Sequence, residues 1–474
     1  MPGSTDTGRI QVISRRVVRA EPPPPPSPAP ETIHLTPWDL RLITIDYIQK
    51  GVLLPKPPNP EHRHAVVERL ASAFAGALGR FHPFAGRLAV DERAADGTIT
   101  VALRCTGEGA EFIHAAAPGV TAADIAGELY IPHELVAPLF PLNGLVSADA
   151  ASADGEPRRA PLLVAQVTEL EDAVFVAASL NHAVGDGTTF WHFVNTWSDL
   201  SRSGGATTER PPPVLERWFL DTCPVPVPLK FAKLEDAIRR CENQQQPPLQ
   251  ECFFHFSAES VKKLKARANA EMLCSGAISG GEATVTISSL QAVLGHLWRS
   301  VCRARRLEPS EKTTYVLLIG CRGRVKGIPA AGYVGNAVVP CKVSSTAGEV
   351  VGKGLGWAAW QLNRAVASFD GAALVRESLE RWVREPRLAY NKDLLGAADV
   401  GTGSSPRFDV YGNDFGWGKP AAVRCGPGNK LDGKTTVFEG RGGGGAMALE
   451  VCLATDALAR LVEDDEFMHA VTAP

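Results

Sequence analysis

The sequence predicts an α/β protein made of two domains with mixed sheets. Strand-like and helix-like segments alternate in both halves of the chain, as in proteins whose sheets are covered by helices. At 474 residues the chain is too long for one ordinary hydrophobic core. A stretch rich in proline, glycine and glutamine then interrupts any long element at 201–250. We therefore expect an N-terminal domain at 1–200, a crossover linker at 201–250 and a C-terminal domain at 251–474.

The composition is that of a soluble globular protein, with 45% hydrophobic and 21% charged residues. A formal net charge of -3 gives no reason to expect nucleic acid or an anionic membrane as a partner. The ten cysteines form no Cys-x-x-Cys pair, which argues against a zinc site and favours a reducing compartment. No signal region or apolar run of membrane-spanning length is present. We expect a cytoplasmic protein without a bound metal.

The first half begins with short elements and continues with buried strands. Thr36 and Pro37 are typical of a helix N-cap and of the first helical position. Apolar residues at helical spacing predict an amphipathic helix at 62–78. The other expected elements are a disordered leader at 1–9, a strand across 10–18, a polyproline connector at 22–30, a hairpin turn at Asp96–Gly97, and strands at 161–168 and 173–179.

The linker and the second half continue the same alternation. Within the linker we expect a short helix around 230–242. Ser257 or Ser260 is a suitable N-cap for the basic helix that follows a strand at 251–256. The remaining expected elements are a helix at 288–306, a strand at 314–319, a Gly-rich turn at 331–337 leading into a strand, and helices at 347–368 and 371–385.

The stretch 179–189 carries the candidate chemistry. His182 follows a buried strand and precedes an apolar helix, a loop position at which scaffolds often present reactive groups. Asp186 lies four residues further on, and the glycines at 185 and 187 permit a backbone path that other residues resist. The pattern alone leaves two interpretations open: an acid–base site, or a histidine hydrogen-bonded at a tight strand-to-helix turn.

Two glycine-rich motifs resemble nucleotide-binding loops but stand in the wrong context. Residues 428–435 match the phosphate-loop pattern G-x-x-x-x-G-K-T, which needs a helix directly after the loop. The β-branched and aromatic residues at 436–439 predict a strand instead, and Asp432–Gly433 predicts a hairpin turn. Residues 440–445 spell G-x-G-x-x-G and are also followed by a strand-like segment. There is no Gly-x-Ser-x-Gly elbow either.

The motifs together resemble those of the plant BAHD family of acyl-CoA-dependent acyltransferases. His-x-x-x-Asp-Gly at 182–187 and Asp-Phe-Gly-Trp-Gly at 414–418 are the two principal matches. Supporting matches occur in the family's order and spacing at 84–88, 322–324 and 332–337, so the resemblance covers nearly the whole chain. Further likeness at 35–40 and 404–408 points to one subgroup whose acceptors are mostly unassigned.

The resemblance implies two chloramphenicol-acetyltransferase-like domains with a solvent channel between them. It implies that His182 is the general base, taking a proton from an alcohol or amine while that group attacks a thioester. Asp186 would pair with Arg322 and hold the loop, as the family's aspartate does. The motif at Asp414, Gly416, Trp417 and Gly418 would be mainly structural.

Further site residues follow from the same resemblance. Substrate contacts are expected at Gly187, Tyr47, Ser404 and Ser405, although core packing is an equal alternative for Tyr47. Relatives place a Thr and a Trp before the Asp-Phe-Gly-Trp-Gly motif, where this chain has Gly403, Ser404 and Ser405. A serine hydroxyl could still donate to the developing oxyanion. The donor's phosphates are assigned to a basic helix face, for which a solvated surface is the alternative: Lys262, Lys263 and Lys265, with Arg267 beside them.

The resulting hypothesis is transfer of an acyl group from acyl-CoA, as co-substrate, to a hydroxyl of a small molecule. The setting would be plant specialised or cuticle metabolism, and no tightly bound cofactor would be needed. A monomer is the expectation from the family. The alternatives left open are N-acylation of an amine, a CoA-independent lyase or hydrolase on the same scaffold, and a non-catalytic binding protein.

Overall fold

The structure is a computed structural model, and it describes residues 10–22, 30–58, 63–93, 97–153, 160–205, 210–239, 247–274, 286–369 and 371–472. The strands are β1 (Gln11–Val18), β2 (Thr32–His34), β3 (Ile48–Pro55), β4 (Arg87–Arg93), β5 (Thr98–Arg104), β6 (Ala110–Ala116), β7 (Ala151–Ala153), β8 (Leu163–Glu169), β9 (Ala173–Leu180), β10 (Leu249–Phe256), β11 (Lys312–Gly320), β12 (Val338–Thr346), β13 (Val400–Ser404), β14 (Ala422–Cys425), β15 (Lys434–Glu439) and β16 (Met447–Ala454). The α-helices are α1 (Pro37–Arg41), α2 (Arg63–Arg80), α3 (Ala122–Ala126), α4 (His133–Val136), α5 (Gly187–Arg202), α6 (Ala258–Cys274), α7 (Ser289–Ala304), α8 (Ala347–Gly352), α9 (Gly354–Ala367), α10 (Gly371–Arg384), α11 (Asn391–Leu394), α12 (Thr455–Val462) and α13 (Asp465–Met468).

The first sheet has six strands in the order β1-β6-β8-β9-β3-β14. Its pairings are antiparallel except that between β6 and β8, so the sheet is mixed. Every residue of β9 is buried, as expected for a strand with both faces covered. The helices α2 and α5 pack together, with the rings of Phe74 and Trp197 5.1 Å apart. A separate four-stranded sheet has the order β2-β5-β4-β7.

The second sheet has the order β10-β16-β15-β13-β11-β12 and is also mixed, because β13 runs parallel to both β11 and β15. The helices α6, α7 and α9 pack against one another beside it. Gly295 of α7 allows a close approach to α9, because a Cβ there would lie 2.8 Å from the Ala359 backbone nitrogen. The predicted α/β class with mixed sheets is confirmed.

One strand from the second half of the chain belongs to the first sheet. β14 pairs antiparallel with β3, with Val423 opposite Val52. The chain then returns to the second sheet as β15. The two sheets are therefore connected by more than the linker, and the domain boundaries at 200 and 250 stay predictions.

Most predicted elements are present with shifted ends, and two helices need correction. The helix expected around 230–242 is a single 3₁₀ turn at Leu234–Ala237 within the described residues. The helix expected at 347–368 is two helices, α8 and α9, separated at Lys353. Gly354 has a φ of 88°, a conformation incompatible with a continuous helix. The leader, most of the polyproline connector and Asp96 lie outside the described residues.

Both glycine-rich motifs lead into strands, as predicted. The hairpin predicted at Asp432–Gly433 is wrong, because β14 before the turn pairs with β3 in the first sheet and β15 after it belongs to the second sheet. The phosphate-loop match ends in β15, and the G-x-G-x-x-G match joins β15 to β16, which pair antiparallel. Neither loop precedes a helix. Within the described part of the chain, no helix combines the length and the apolar character needed to cross a lipid bilayer.

Candidate active site

His182 lies in the loop between β9 and α5, and its backbone is held from both sides. Its amide donates to Ser147 Oγ at 3.0 Å. Its carbonyl accepts from Asn336 Nδ2 at 2.8 Å. Asn181, the preceding residue, donates its own amide to the Leu162 carbonyl at 2.8 Å. The loop therefore has a fixed course at the end of a buried strand.

The His182 side chain is partly exposed, and its pKa is lowered by its surroundings. Burial is the main influence and lowers the pKa of His182 to about 4, and the charge of Lys434 acts in the same direction. The enclosed Nδ1 receives no hydrogen bond from another described residue. The imidazole is consequently neutral near pH 7 and able to accept a proton.

Asp186 caps helix α5 and makes no described hydrogen bond to His182. Its Oδ1 accepts from the amides of Thr188 and Thr189, each at 3.1 Å. Its Oδ2 accepts from the amide of Ala337 at 3.0 Å. A carboxylate used in this way fixes backbone from the two halves of the chain.

Arg322 forms a bidentate ion pair with Asp186, with distances of 2.7 Å to Oδ2 and 3.0 Å to Oδ1. Both side chains are almost fully buried. Burial alone would raise the pKa of Asp186, but the Arg322 charge and the surrounding hydrogen bonds hold it below its ordinary value. Arg322 also donates to the Gly335 carbonyl at 2.8 Å and to Thr189 Oγ1 at 3.1 Å.

Two residues that hold the loop were missed by the sequence analysis as site residues. Asn336 donates its amide and its Nδ2 to Asp39 Oδ1, at 3.0 and 2.9 Å, besides contacting His182. Asn336 stands inside the motif match at 332–337, which offered a signal. Ser147 donates to the Ile45 carbonyl at 3.1 Å while accepting from His182. No motif marked Ser147.

The Asp414–Gly418 loop is built from internal contacts and contacts with the first sheet. Asp414 Oδ1 accepts from the amides of Gly416 and Gly418, at 2.8 and 3.0 Å. Trp417 donates to the Pro55 carbonyl at 2.8 Å. Phe415 is buried, and its carbonyl accepts from Ser201 of α5 at 2.7 Å. These contacts secure the C-terminal end of the helix whose N-terminal end Asp186 caps.

The residues expected to contact substrate have different surroundings. Tyr47 is 1% exposed and donates to the Pro161 carbonyl at 3.0 Å, which favours the packing alternative. Ser404 has a φ of 70°, and its buried Oγ has no hydrogen-bond partner among the described residues. Ser405 Oγ accepts from the Arg407 amide at 3.2 Å. A Cβ on Gly187 would lie 3.2 Å from the Phe408 ring.

The basic residues of α6 lie on the helix surface. Lys262 and Lys263 are exposed, and Lys263 pairs with Glu259 at 2.6 Å. Lys265 is half-buried. No described hydrogen bond or ion pair connects the three lysines to His182.

Comparisons with known proteins agree with this architecture. The model of the Transferase family matches residues 9–468. An uncharacterized acetyltransferase of Arabidopsis thaliana is 35% identical over 464 residues, which cover 97% of this chain and 99% of that protein. The BAHD acyltransferase DCR of Arabidopsis thaliana is 30% identical over 472 residues, which cover 97% of this chain and 92% of that protein.

Among solved structures, F. sporotrichioides TRI101 complexed with coenzyme A and T-2 superposes with a TM-score of 0.70 at 18% identity. The match covers 93% of this chain and 99% of that one. This likeness confirms the acyltransferase fold that the motifs implied. On the family match and the identity to the Arabidopsis proteins, the chain belongs to the Transferase family and is an acyltransferase of the plant BAHD type.

Proposed function

We propose that this acyltransferase moves an acyl group from an acyl-CoA thioester to a hydroxyl of a small-molecule acceptor, with His182 as the general base. The observation that carries the proposal is a neutral, partly exposed His182 whose loop is held by other groups. A neutral imidazole is the form that accepts a proton. The coenzyme A in the solved TRI101 complex supports acyl-CoA as the co-substrate.

The reaction divides into two balanced steps. His182 takes the hydroxyl proton while the acceptor oxygen bonds to the thioester carbon, which gives a tetrahedral intermediate and an imidazolium. The intermediate then collapses, the carbon–sulfur bond breaks and the proton returns from His182 to the leaving thiolate. The products are an ester and free CoA. Asp186 and Arg322 act by holding the loop, and the unpartnered Ser404 hydroxyl is our candidate donor to the oxyanion.

A thiol-release assay tests the general base. Acyl-CoAs are screened against pooled alcohols, phenols and amines, and the products are identified by mass. We expect His182→Ala to abolish CoA release while the far-UV circular dichroism and the melting temperature stay near those of the unchanged protein. An undiminished rate in this variant with any productive pair would contradict the proposal.

The same screen separates the alternatives. Amides among the products would identify an N-acyltransferase, and turnover without CoA would identify a lyase. A non-catalytic binding or regulatory protein would give no product with any pair. Acyl-CoA would also produce no thermal shift, since a ligand that binds only the folded state must raise its melting temperature. We further propose a solvent channel between the domains, a monomer and a cytoplasmic location. Size-exclusion chromatography with light scattering and imaging of a tagged protein test the last two.

The donor site is proposed on α6. If Lys262, Lys263 and Lys265 contact the phosphates of acyl-CoA, replacing all three with alanine raises the KM for acyl-CoA and leaves the KM for the acceptor unchanged. The replacement of Lys312 and Lys342, exposed lysines of the second sheet, is the matched control. An unchanged KM for acyl-CoA would leave these lysines as a solvated surface.

A further inference from the structure

The segment 428–435, whose letters match a phosphate loop, contains two lysines with opposite surroundings. Lys430 Nζ lies 2.5 Å from a carboxylate oxygen of Glu251 and 2.5 Å from one of Glu450. Lys434 lies in the same segment, but its side chain forms no hydrogen bond or ion pair with any described residue. One lysine of the segment is therefore neutralised by two carboxylates, and the other is left without an anion.

The Lys434 side chain extends along the strand that carries the unusual Ser404. Lys434 is the first residue of β15 and pairs with Gly401 of β13. Its Cε lies 3.8 Å from the position that a Cβ would take on Gly403. The next residue, Ser404, has the left-handed φ of 70° and the unpartnered buried hydroxyl. Strained backbone and unpaired buried polar groups concentrate at functional sites.

Lys434 also belongs to the surroundings of His182. The positive charge of Lys434 lowers the pKa of His182. Burial is the main influence on Lys434 itself and lowers the pKa of its ammonium to about 8, with the charge of Lys50 acting in the same direction. The ammonium remains predominantly charged at pH 7, and it is close enough to His182 for the two charges to interact.

Asp46 is a carboxylate whose charge acts on Lys434, but the two form no described ion pair. Asp46 raises the pKa of Lys434 only as a weak influence. Its Oδ2 is already used, accepting from Asn391 Nδ2 and from the Asn429 amide, each at 2.8 Å. Lys434 is half-buried, and a poorly solvated charge without a partner is costly to the folded protein unless a ligand supplies the opposite charge.

We propose that Lys434 binds a carboxylate of the substrate beside the reacting centre. The inference rests on the proposed acyl transfer and names its substrate class: a hydroxy acid as acceptor, or an acyl group that ends in a carboxylate. The phosphates of CoA are not the anion at this position, because the pantetheine arm separates them from the thioester by many bonds. An ammonium–carboxylate hydrogen bond in a desolvated site is worth about tenfold to hundredfold in binding.

The test uses pairs of substrates that differ only in one carboxylate. In the acceptor arm, 4-hydroxyphenylacetate and 3-phenyllactate are compared with their methyl esters, with acetyl-CoA as donor. In the donor arm, malonyl-CoA is compared with acetyl-CoA on the methyl esters. The full-length protein is compared with Lys434→Gln, Lys434→Arg and the exposed control Lys342→Gln, and both thiol release and the melting temperature are measured.

We expect the unchanged protein to prefer the carboxylate in one of the two arms, which identifies its source. Lys434→Gln reduces that preference by about tenfold or more, Lys434→Arg retains part of it, and Lys342→Gln leaves it unchanged. An equal loss of kcat/KM for acids and esters in Lys434→Gln would assign Lys434 to the oxyanion and overturn the proposal. The absence of any carboxylate preference in both arms would overturn it as well.

The melting temperatures separate failure of this inference from failure of the proposed function. Stabilisation by a carboxylate that depends on Lys434, without any turnover, supports the binding site and contradicts the acyl transfer. Turnover that depends on His182, without any carboxylate preference, leaves acyl transfer standing and removes the role of Lys434. If no acid or malonyl-CoA stabilises the unchanged protein more than Lys434→Gln, and none is preferred in turnover, the inference is wrong.

Discussion

The properties of His182 depend on what surrounds the residue and not on the His-x-x-x-Asp pattern itself. Asp186 directs its oxygens to backbone amides and to Arg322. Desolvation therefore acts on His182 without a hydrogen-bonded carboxylate to restore its proton affinity. The spacing of four residues keeps the two functions separate: proton transfer is proposed for the histidine, and loop geometry for the aspartate.

The acid side of the pH–rate profile should report this environment. Since the neutral imidazole is the base and the pKa of His182 is about 4, kcat/KM should stay constant from about pH 7 down to pH 6 and fall only as the pH approaches 4. Initial rates between pH 4 and 8, with circular dichroism to show that the enzyme stays folded, provide the measurement. A midpoint near the ordinary histidine value of about 6.5 would contradict it.

The pairing of Asp186 with Arg322 should show strong energetic coupling. Arg322→Met leaves the buried carboxylate without its counter-ion and should lower the free energy of unfolding by about 3–5 kcal/mol. Adding Asp186→Asn removes the stranded charge, so the double variant should be less destabilised than the sum of the two single variants. Urea unfolding of the four proteins at pH 7 measures the coupling. Additive losses would mean that the pair does not act as a unit.

At the scale of the element, the turn into β15 combines a structural charge with an unpaired one. Lys430 is enclosed by Glu251 and Glu450, while Lys434, four residues later, faces the strand that carries Gly403. The sequence of the turn and of β15 does not by itself distinguish the surroundings of Lys430 from those of Lys434. Lys434 occupies the lysine position of the phosphate-loop pattern and Lys430 a variable position. The strand β15, which follows in place of a helix, decides that neither lysine serves a phosphate loop.

The two lysines should respond oppositely to the same substitution. Lys430→Met strands two buried carboxylates and should cost about 3–5 kcal/mol of the free energy of unfolding. Lys434→Met removes a charge whose pKa burial has lowered to about 8, so it should raise the melting temperature of the ligand-free protein at pH 7. Thermal denaturation of the two variants in parallel is the measurement, and equal destabilisation would show that Lys434 has a partner in solution.

At the scale of the whole molecule, the two sheets are joined through the active-site loop as well as through the chain. Arg322 and Asn336 come from the second half and hold the loop that carries His182. β14 from the second half completes the first sheet. Any movement of one half relative to the other would therefore disturb the position of the proposed base.

Acid stability should be limited by buried histidine in the second half. Burial lowers the pKa of His296 to about 4, and its ring stacks on Phe467 at 5.4 Å without a hydrogen bond. A histidine held neutral contributes stability that is fully present above its unfolded pKa of about 6.5. That stability, about 3 kcal/mol for such a shift, is lost as the pH falls from about 6.5 to 4.

His296→Phe should consequently make the decline in unfolding free energy between pH 6.5 and 4.5 less steep. Part of the decline remains, because the pKa of His182 is also lowered to about 4. The carboxylates with strongly lowered pKa values, Glu450 and Glu466, titrate below this window. Urea unfolding at half-unit pH intervals is the measurement, and a decline as steep as that of the unchanged protein would contradict the assignment to His296.

The sequence was sufficient for features that depend on local pattern. The apolar run of β9, the Thr36 cap and the strand after the phosphate-loop match all follow from neighbouring residues. Contacts between distant positions are different. Asn336 reaches Asp39 across 297 positions, and β14 pairs with β3 across about 370. Neither contact leaves a periodic signal, because its partner lies on another element.

The place of β14 in the first sheet also bears on how the chain is synthesised. Residues 422–425 supply the edge strand beside β3, so the ribosome must release nearly the whole chain before that sheet is complete. The first half emerges with β3 as an unpaired edge, and such edges favour association with other chains. A protein cut short before residue 422 should therefore aggregate even though it contains His182, whereas a backbone nick in the 201–250 linker after folding should leave both parts bound to each other.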